Sequence, residues 1–142
     1  DYQLHMRYYY KALPYQTLVL HVNAAYTEHE FSLGGKNGLR GFNPEEFRGN
    51  KILLMNIEDR LFIYKKFLTQ LVEPGATIFF DSGYTWGKEE KVNPSRLKNS
   101  IGIGLRFYLV KSANYNIINL NLAYPLNLRR GTVLTLGTSG SF

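Results

Sequence analysis

The sequence predicts an all-β fold, and within that class an antiparallel barrel whose strands cross a membrane. Three observations carry this expectation. Seven segments alternate apolar and polar residues with period two, the pattern of strands with two unlike faces. Most run about ten residues, the length a tilted membrane-spanning strand needs, whereas soluble strands usually have about five or six. Eleven Tyr and nine Phe among 142 residues suit aromatic girdles at two membrane interfaces.

The first strand places Tyr2, Leu4, Met6, Tyr8 and Tyr10 on one face and Gln3, His5, Arg7, Tyr9 and Lys11 on the other. Leu13-Pro14-Tyr15-Gln16 reads as a short turn. The second sets Leu18, Leu20, Val22, Ala24 and Tyr26 against His21, Asn23 and Thr27. A Gly-rich loop is expected from about Glu28 to Asn50, too long for a hairpin turn and so a candidate functional segment. The third strand, from Lys51, sets Leu53, Met55, Ile57 and Leu61 against Asn56, Glu58 and Arg60, with Asp59 breaking the apolar face near its end. Glu73-Pro74-Gly75 reads as the next turn. The fourth strand, Thr77 to Trp86, sets Ile78, Phe80, Tyr84 and Trp86 against Thr77, Phe79, Asp81 and Gly83. Gly87 to Pro94 is a charged loop. The fifth strand sets Ile101, Ile103, Leu105, Phe107 and Leu109 against Ser100, Gly102, Gly104, Arg106 and Tyr108. The sixth sets Ile118, Leu120, Leu122 and Tyr124 against Asn119, Asn121 and Ala123. In the seventh, Leu134, Leu136 and Phe142 oppose Thr135, Gly137, Ser139 and Ser141.

Length fits one domain, residues 1–142. No run of eighteen apolar residues offers a transmembrane helix, and the start lacks the charged and apolar regions of a signal peptide. The mean hydropathy of −0.24 is compatible with a barrel, because lipid-facing and lumen-facing residues average out. Cysteine is absent, which excludes disulfide and thiolate-metal frameworks. The net charge of +6 is scattered, with small clusters at Lys65-Lys66 and Arg129-Arg130, so no nucleic-acid partner is expected. Single-chain bacterial barrels have an even strand count. Seven strands therefore predict that others precede Asp1.

Catalytic and metal readings find little support. Gly137-Thr138-Ser139-Gly140-Ser141 is not a nucleophile elbow. His5, His21 and His29 lack metal-ligand spacing, and the first two read as lumen-facing. Gly34-Gly35-Lys36 lacks the spacing and the Ser/Thr of a phosphate loop. The expectation is a non-enzyme with no metal or cofactor.

Four motifs in order carry a family resemblance. They are Leu33-Gly34-Gly35 through Gly38-Leu39-Arg40-Gly41-Phe42; Gly49-Asn50 to Asn56-Ile57-Glu58-Asp59-Arg60; Phe79-Phe80-Asp81-Ser82-Gly83-Tyr84-Thr85-Trp86; and Ser100-Ile101-Gly102-Ile103-Gly104-Leu105-Arg106-Phe107 with Leu120-Asn121-Leu122-Ala123-Tyr124-Pro125-Leu126. Together they resemble the C-terminal half of the barrel in the BamA/TamA superfamily of outer-membrane assembly and secretion proteins. The resemblance implies a larger barrel, of about sixteen strands, of which these are the last seven. It implies that the Arg40-Gly41-Phe42 loop folds back into the lumen, with Arg40 paired to Asp81 first and Glu58 second. Small Gly83, beside Asp81 on the polar face, would leave room for the incoming loop.

The C-terminus resembles the final-strand sorting signal of outer-membrane barrels through Thr135, Gly137 and Phe142, with Gly140 departing from the usual apolar residue. What the resemblance implies is non-catalytic protein transport: insertion or secretion of client polypeptides across the outer membrane of a Gram-negative bacterium. A weak seam between first and last strands would offer an edge to clients. Outer-membrane lipids, clients, periplasmic domains and accessory lipoproteins are the implied partners. The alternative is a barrel anchoring or exporting an upstream patatin-like lipase, and a third reading is a soluble aromatic-rich β-domain. On the barrel reading Leu105→Arg should impair assembly far more than Gly104→Ser.

Overall fold

The computed structural model describes residues 1–35, 38–62, 72–109, 117–129 and 131–139. Within them the chain is all-β, with one three-residue 3-10 turn at Pro94–Arg96. Seven strands form a single antiparallel sheet in sequence order. They are β1 (Tyr2–Leu13), β2 (Gln16–Leu33), β3 (Phe47–Phe62), β4 (Val72–Trp86), β5 (Lys98–Leu109), β6 (Ile117–Pro125) and β7 (Val133–Ser139). Each strand pairs with its neighbours in sequence, the topology that short antiparallel connections favour. The described sheet is not closed, and β1 and β7 are its two edges.

The period-two pattern becomes two continuous faces through register. Tyr8 pairs with Leu20, Leu20 with Ile57 and Ile57 with Phe80, so apolar residues stand beside apolar residues. The row continues as Phe80 with Ile101 and Ile101 with Tyr124. On the other face Arg7 pairs with His21, His21 with Asn56, Asn56 with Asp81 and Asp81 with Ser100. Because a one-residue slip would exchange the faces, this pairing fixes register across the sheet.

The burial of these faces is the reverse of a water-soluble sheet. Ile103 is 59% exposed, and Ile78, Ile101, Leu105, Leu122, Leu134 and Leu136 are exposed with it. Asp81, Ser100 and Thr77 on the polar face are buried. Arg40 and Gly41, in the loop between β2 and β3, lie against Asp81 and Ser100. Leu33, Leu39 and Phe42 join Ile52 and Leu54 in a small apolar cluster on the polar face, flanked by Ala25, Phe31, Phe47 and Leu128.

Two expected boundaries need correction. The strands do not stop at Tyr26 and resume at Lys51. After a register shift between Tyr26 and Phe31, β2 pairs again through Phe31 with Gly49, Ser32 with Arg48 and Leu33 with Phe47. The loop is therefore only 34–46. The polar, β-poor composition of Glu28 to Glu30 resembled a loop, but a local irregularity absorbs it within a long strand. Glu73-Pro74-Gly75 is not a turn. It opens β4, where Pro74 pairs with Phe107, and the pairing of β4 with β3 begins at Gly75. Proline lacks a ladder donor, so the start of a strand is where it is tolerated. The Leu13–Gln16 turn stands where the sequence puts it, and the charged loop expected over 87–94 runs on through the 3-10 turn to residue 97.

Candidate functional site

The 34–46 loop begins and turns on residues with positive φ: Gly34, Gly35, Gly38 and Gly41. At Gly41 both conformation and space matter. Its φ is 89°, and an added Cβ would stand 3.1 Å from the Ser100 Cβ and 3.3 Å from the Ala123 Cβ. An L side chain there would be strained in conformation and crowded against β5 and β6. This close approach lets the flanking Arg40 and Phe42 enter the polar face together. Phe42 is buried, with its ring edge-on to Phe47 at 5.4 Å.

Arg40 meets Asp81 with the fork geometry of a bidentate pair. Its Nε donates to Asp81 Oδ2 at 2.7 Å and its Nη2 to Oδ1 at 2.6 Å. The Arg40 backbone N–H also donates to Oδ2, at 3.1 Å. The fourth donor is Asn56 Nδ2, 2.8 Å from Oδ1. A carboxylate has about four lone-pair sites, and Asp81 fills them all while its side chain is 0% exposed. Arg40 Nη1 reaches Glu58 Oε1 at 2.8 Å, and its guanidinium carbon lies 3.5 Å above the centre of the Phe79 ring. Such stacking suits a planar, weakly hydrated cation, and Lys could not reproduce it.

Each predicted loop-lock residue has a definite place. Arg40, Asp81 and Glu58 come together as described. Gly83 makes room, but the side chains nearest to it belong to β3 and the end of β2 rather than to the loop: an added Cβ would lie 3.0 Å from Leu54 and 3.1 Å from Leu33. Thr135 and Gly137 stand on β7 opposite Asn121 and Asn119. Phe142 and Gly140 lie outside the described residues, as do Lys65, Lys66 and Arg130. Among the described residues no cluster of three or more His, Asp or Glu could hold a metal ion. Gly104 is not the tolerant position it was expected to be. A Cβ there would collide with Asn121 Oδ1 and with Thr77 Cγ2.

The sequence reading missed the residues that orient the pair. Asn56 Nδ2 also donates to the Gly38 carbonyl at 2.6 Å, tying loop backbone and Asp81 to one amide. Since that amide's nitrogen serves two acceptors, its oxygen must accept, and His21 Nδ1 donates to it at 2.9 Å. Glu58 is shared by three arginines, with Arg60 Nη2 at 2.8 Å and Arg106 Nη2 at 2.7 Å from Oε2. Only cross-strand register brings Asn56, His21 and Arg106 to this point. The available signal was their common phase on the polar face.

A buried ion cluster of this kind contributes little net stability against an apolar replacement, but removing one partner is costly. Its chemical capacity is therefore to fasten a loop in one position. Comparisons of the chain with family models, with curated proteins and with solved structures each return no match.

Proposed function

We propose that this chain is the C-terminal part of an outer-membrane β-barrel of the BamA/TamA superfamily, acting in protein assembly or secretion without a chemical step. The observation that carries the reading is the reversed sheet: an exposed apolar face, and on β3 to β5 a charged face buried where the chain's own Arg40 loop lies against it. Lipid solvates the first face, and a lumen plugged by the loop accounts for the second. From Tyr2 to Tyr10 the apolar row of β1 runs roughly 27 Å along the strand, enough to cross the apolar band when tilted. The Arg40 ion pair supports the motif resemblance at the position where the family places its lumen loop. Closing the sheet requires a partner for each of its edges, β1 and β7. A seam there would present backbone donors and acceptors to an incoming client strand.

The test has two readouts. The protein should remain in membranes under carbonate and salt washing, leave them only in detergent, and migrate as a heat-modifiable folded species. Its depletion should then lower the folded amount of other outer-membrane barrels or of a secreted polypeptide. Carbonate-extractable protein would defeat the membrane assignment. A membrane-resident protein whose depletion leaves every such client at normal level would defeat the transport role.

A further inference from the structure

We infer that the rim of the apolar face beside Lys51 is a binding site for an anionic phospholipid, with the headgroup on Lys51 and an acyl chain in the groove below it. The inference rests on the membrane reading above and adds a specific ligand to it. Tyr2, Tyr26, Lys51 and Trp86 pair in series across β1 to β4, so one row of three aromatics contains a single cation. This row lies at the end of the sheet that carries the 34–46 and 87–97 connections, opposite the two-residue turn at Pro14 and Tyr15. In outer-membrane barrels the long connections are external and the aromatic rows mark the interfaces.

Lys51 is held in place. Its Nζ donates to the Glu90 carbonyl at 2.6 Å, and among the described residues no other hydrogen bond of that amine is found. Two of its three donors therefore remain for an anion. Directly below, Ala24 stands between Leu4 and Leu53, and its small side chain leaves a notch in the apolar face. The resulting groove measures about 490 Å³, with Tyr2, Leu4, Leu53 and Trp86 as its walls and Val92 reaching over from the 87–97 connection. That size falls within the roughly 300–1,000 Å³ of small-molecule sites.

Charge places the headgroup. Lys88, Glu89, Glu90 and Lys91 are all exposed on the connection and balance one another, so the cation that the groove itself offers is Lys51. The Glu90 carboxylate is occupied by the Gly87 N–H and by Arg96. On the far side Asp1 accepts from the Glu28 backbone N–H, so the anion belongs on the Lys51 side. An apolar notch beneath a fixed cation matches one phosphate and one acyl chain. A zwitterionic lipid would fill the notch without using the cation's charge.

Trp86, the one tryptophan of the sequence, lines the groove and reports on it. The full chain is reconstituted in phosphatidylcholine vesicles carrying equal small mole fractions of either dibrominated phosphatidylglycerol or dibrominated phosphatidylcholine. The Trp86→Phe variant supplies the background. The brominated anionic lipid should quench Trp86 roughly threefold to fivefold more effectively, the factor expected of one cation facing an anionic headgroup. Lys51→Gln should erase that difference while leaving the zwitterionic quenching unchanged. Ala24→Phe should weaken quenching by both lipids. Equal quenching by the two lipids in the unaltered protein would overturn the site and leave the membrane reading standing. No quenching by either lipid, in protein that fails to float with vesicles, would overturn both.

Discussion

At Asp81 a fully buried carboxylate has each lone-pair site taken, and three of its four donors belong to Arg40. Arg40→Ala would strip both guanidinium donors and leave that charge with Asn56 and the backbone N–H of residue 40. Breaking a buried pair from one side costs about 3–5 kcal/mol, less where water enters. The loop should loosen and activity fall, while the strands still form. Asp81→Asn should act similarly. The double variant should be less than additive, because both single changes remove one interaction. A double-mutant cycle on client assembly or secretion measures this, and full additivity would remove the lock from the account. Gly41→Ala should release the same loop by another route, at about 1–3 kcal/mol for a non-glycine in left-handed backbone. Faster proteolysis within 34–46 is the readout. The sequence revealed Arg40, Asp81 and Glu58 because their types stand inside motifs of fixed spacing. Asn56 and Arg106 stand inside the same motifs and His21 outside them, yet the part each plays was hidden, since nothing local distinguishes them from other polar-face residues. Their part depends on which residues register places side by side.

Among the elements, period-two alternation identified all seven strands because one face of each stays largely apolar, with few breaks such as Asp59. It misjudged ends. Glu28 to Glu30 and Glu73 to Gly75 have turn-like composition, yet long-range pairing extends strands through both. Composition reports local preference, and cross-strand hydrogen bonding overrode it here. The 87–97 connection shows the opposite case, a loop with its own local fasteners. Glu90 Oε2 accepts from the Gly87 N–H at 3.1 Å, and Arg96 Nη1 donates to Oε1 at 3.1 Å. The Gly87 backbone bond, followed by the Arg96 side chain, holds the Glu90 carboxyl below its ordinary titration range. A depressed carboxyl stabilises its loop fully above the unfolded pKa, and that contribution is lost as pH falls through the folded value. Amide exchange across 87–96, corrected for intrinsic rates, should therefore stay slow at neutral pH and quicken in acid. In Glu90→Ala it should be fast throughout and lose that acid dependence. Acid-dependent protection persisting in Glu90→Ala would assign the effect to another group.

For the whole molecule the deciding property is which face meets which solvent. An ordinary antiparallel sheet covers its apolar face and wets the polar one. Here Leu134 and Leu136 stand 63% and 61% exposed while Asp81 is buried. This arrangement is costly in water, since every exposed aliphatic row forfeits its burial. In a bilayer the same rows are solvated by acyl chains, and the cost reverses. Leu105 tests this directly. It lies on the exposed apolar face between Ala76 and Leu120. Arginine in a lipid-facing row costs about 2–4 kcal/mol near the midplane, whereas on an exposed face in water it would change little. Leu105→Arg should therefore deplete the heat-modifiable folded species in membranes. The matching change on the polar face cannot use Gly104, where any Cβ collides with β4 and β6. Tyr9 serves instead: it is exposed, pairs with Val19, and belongs to the row of His5 and Arg7. Tyr9→Arg should assemble close to the unaltered level, because a hydrated lumen accepts the charge. Equal assembly of the two variants would mean that neither face meets lipid, and the sheet would then need an apolar protein partner rather than a membrane.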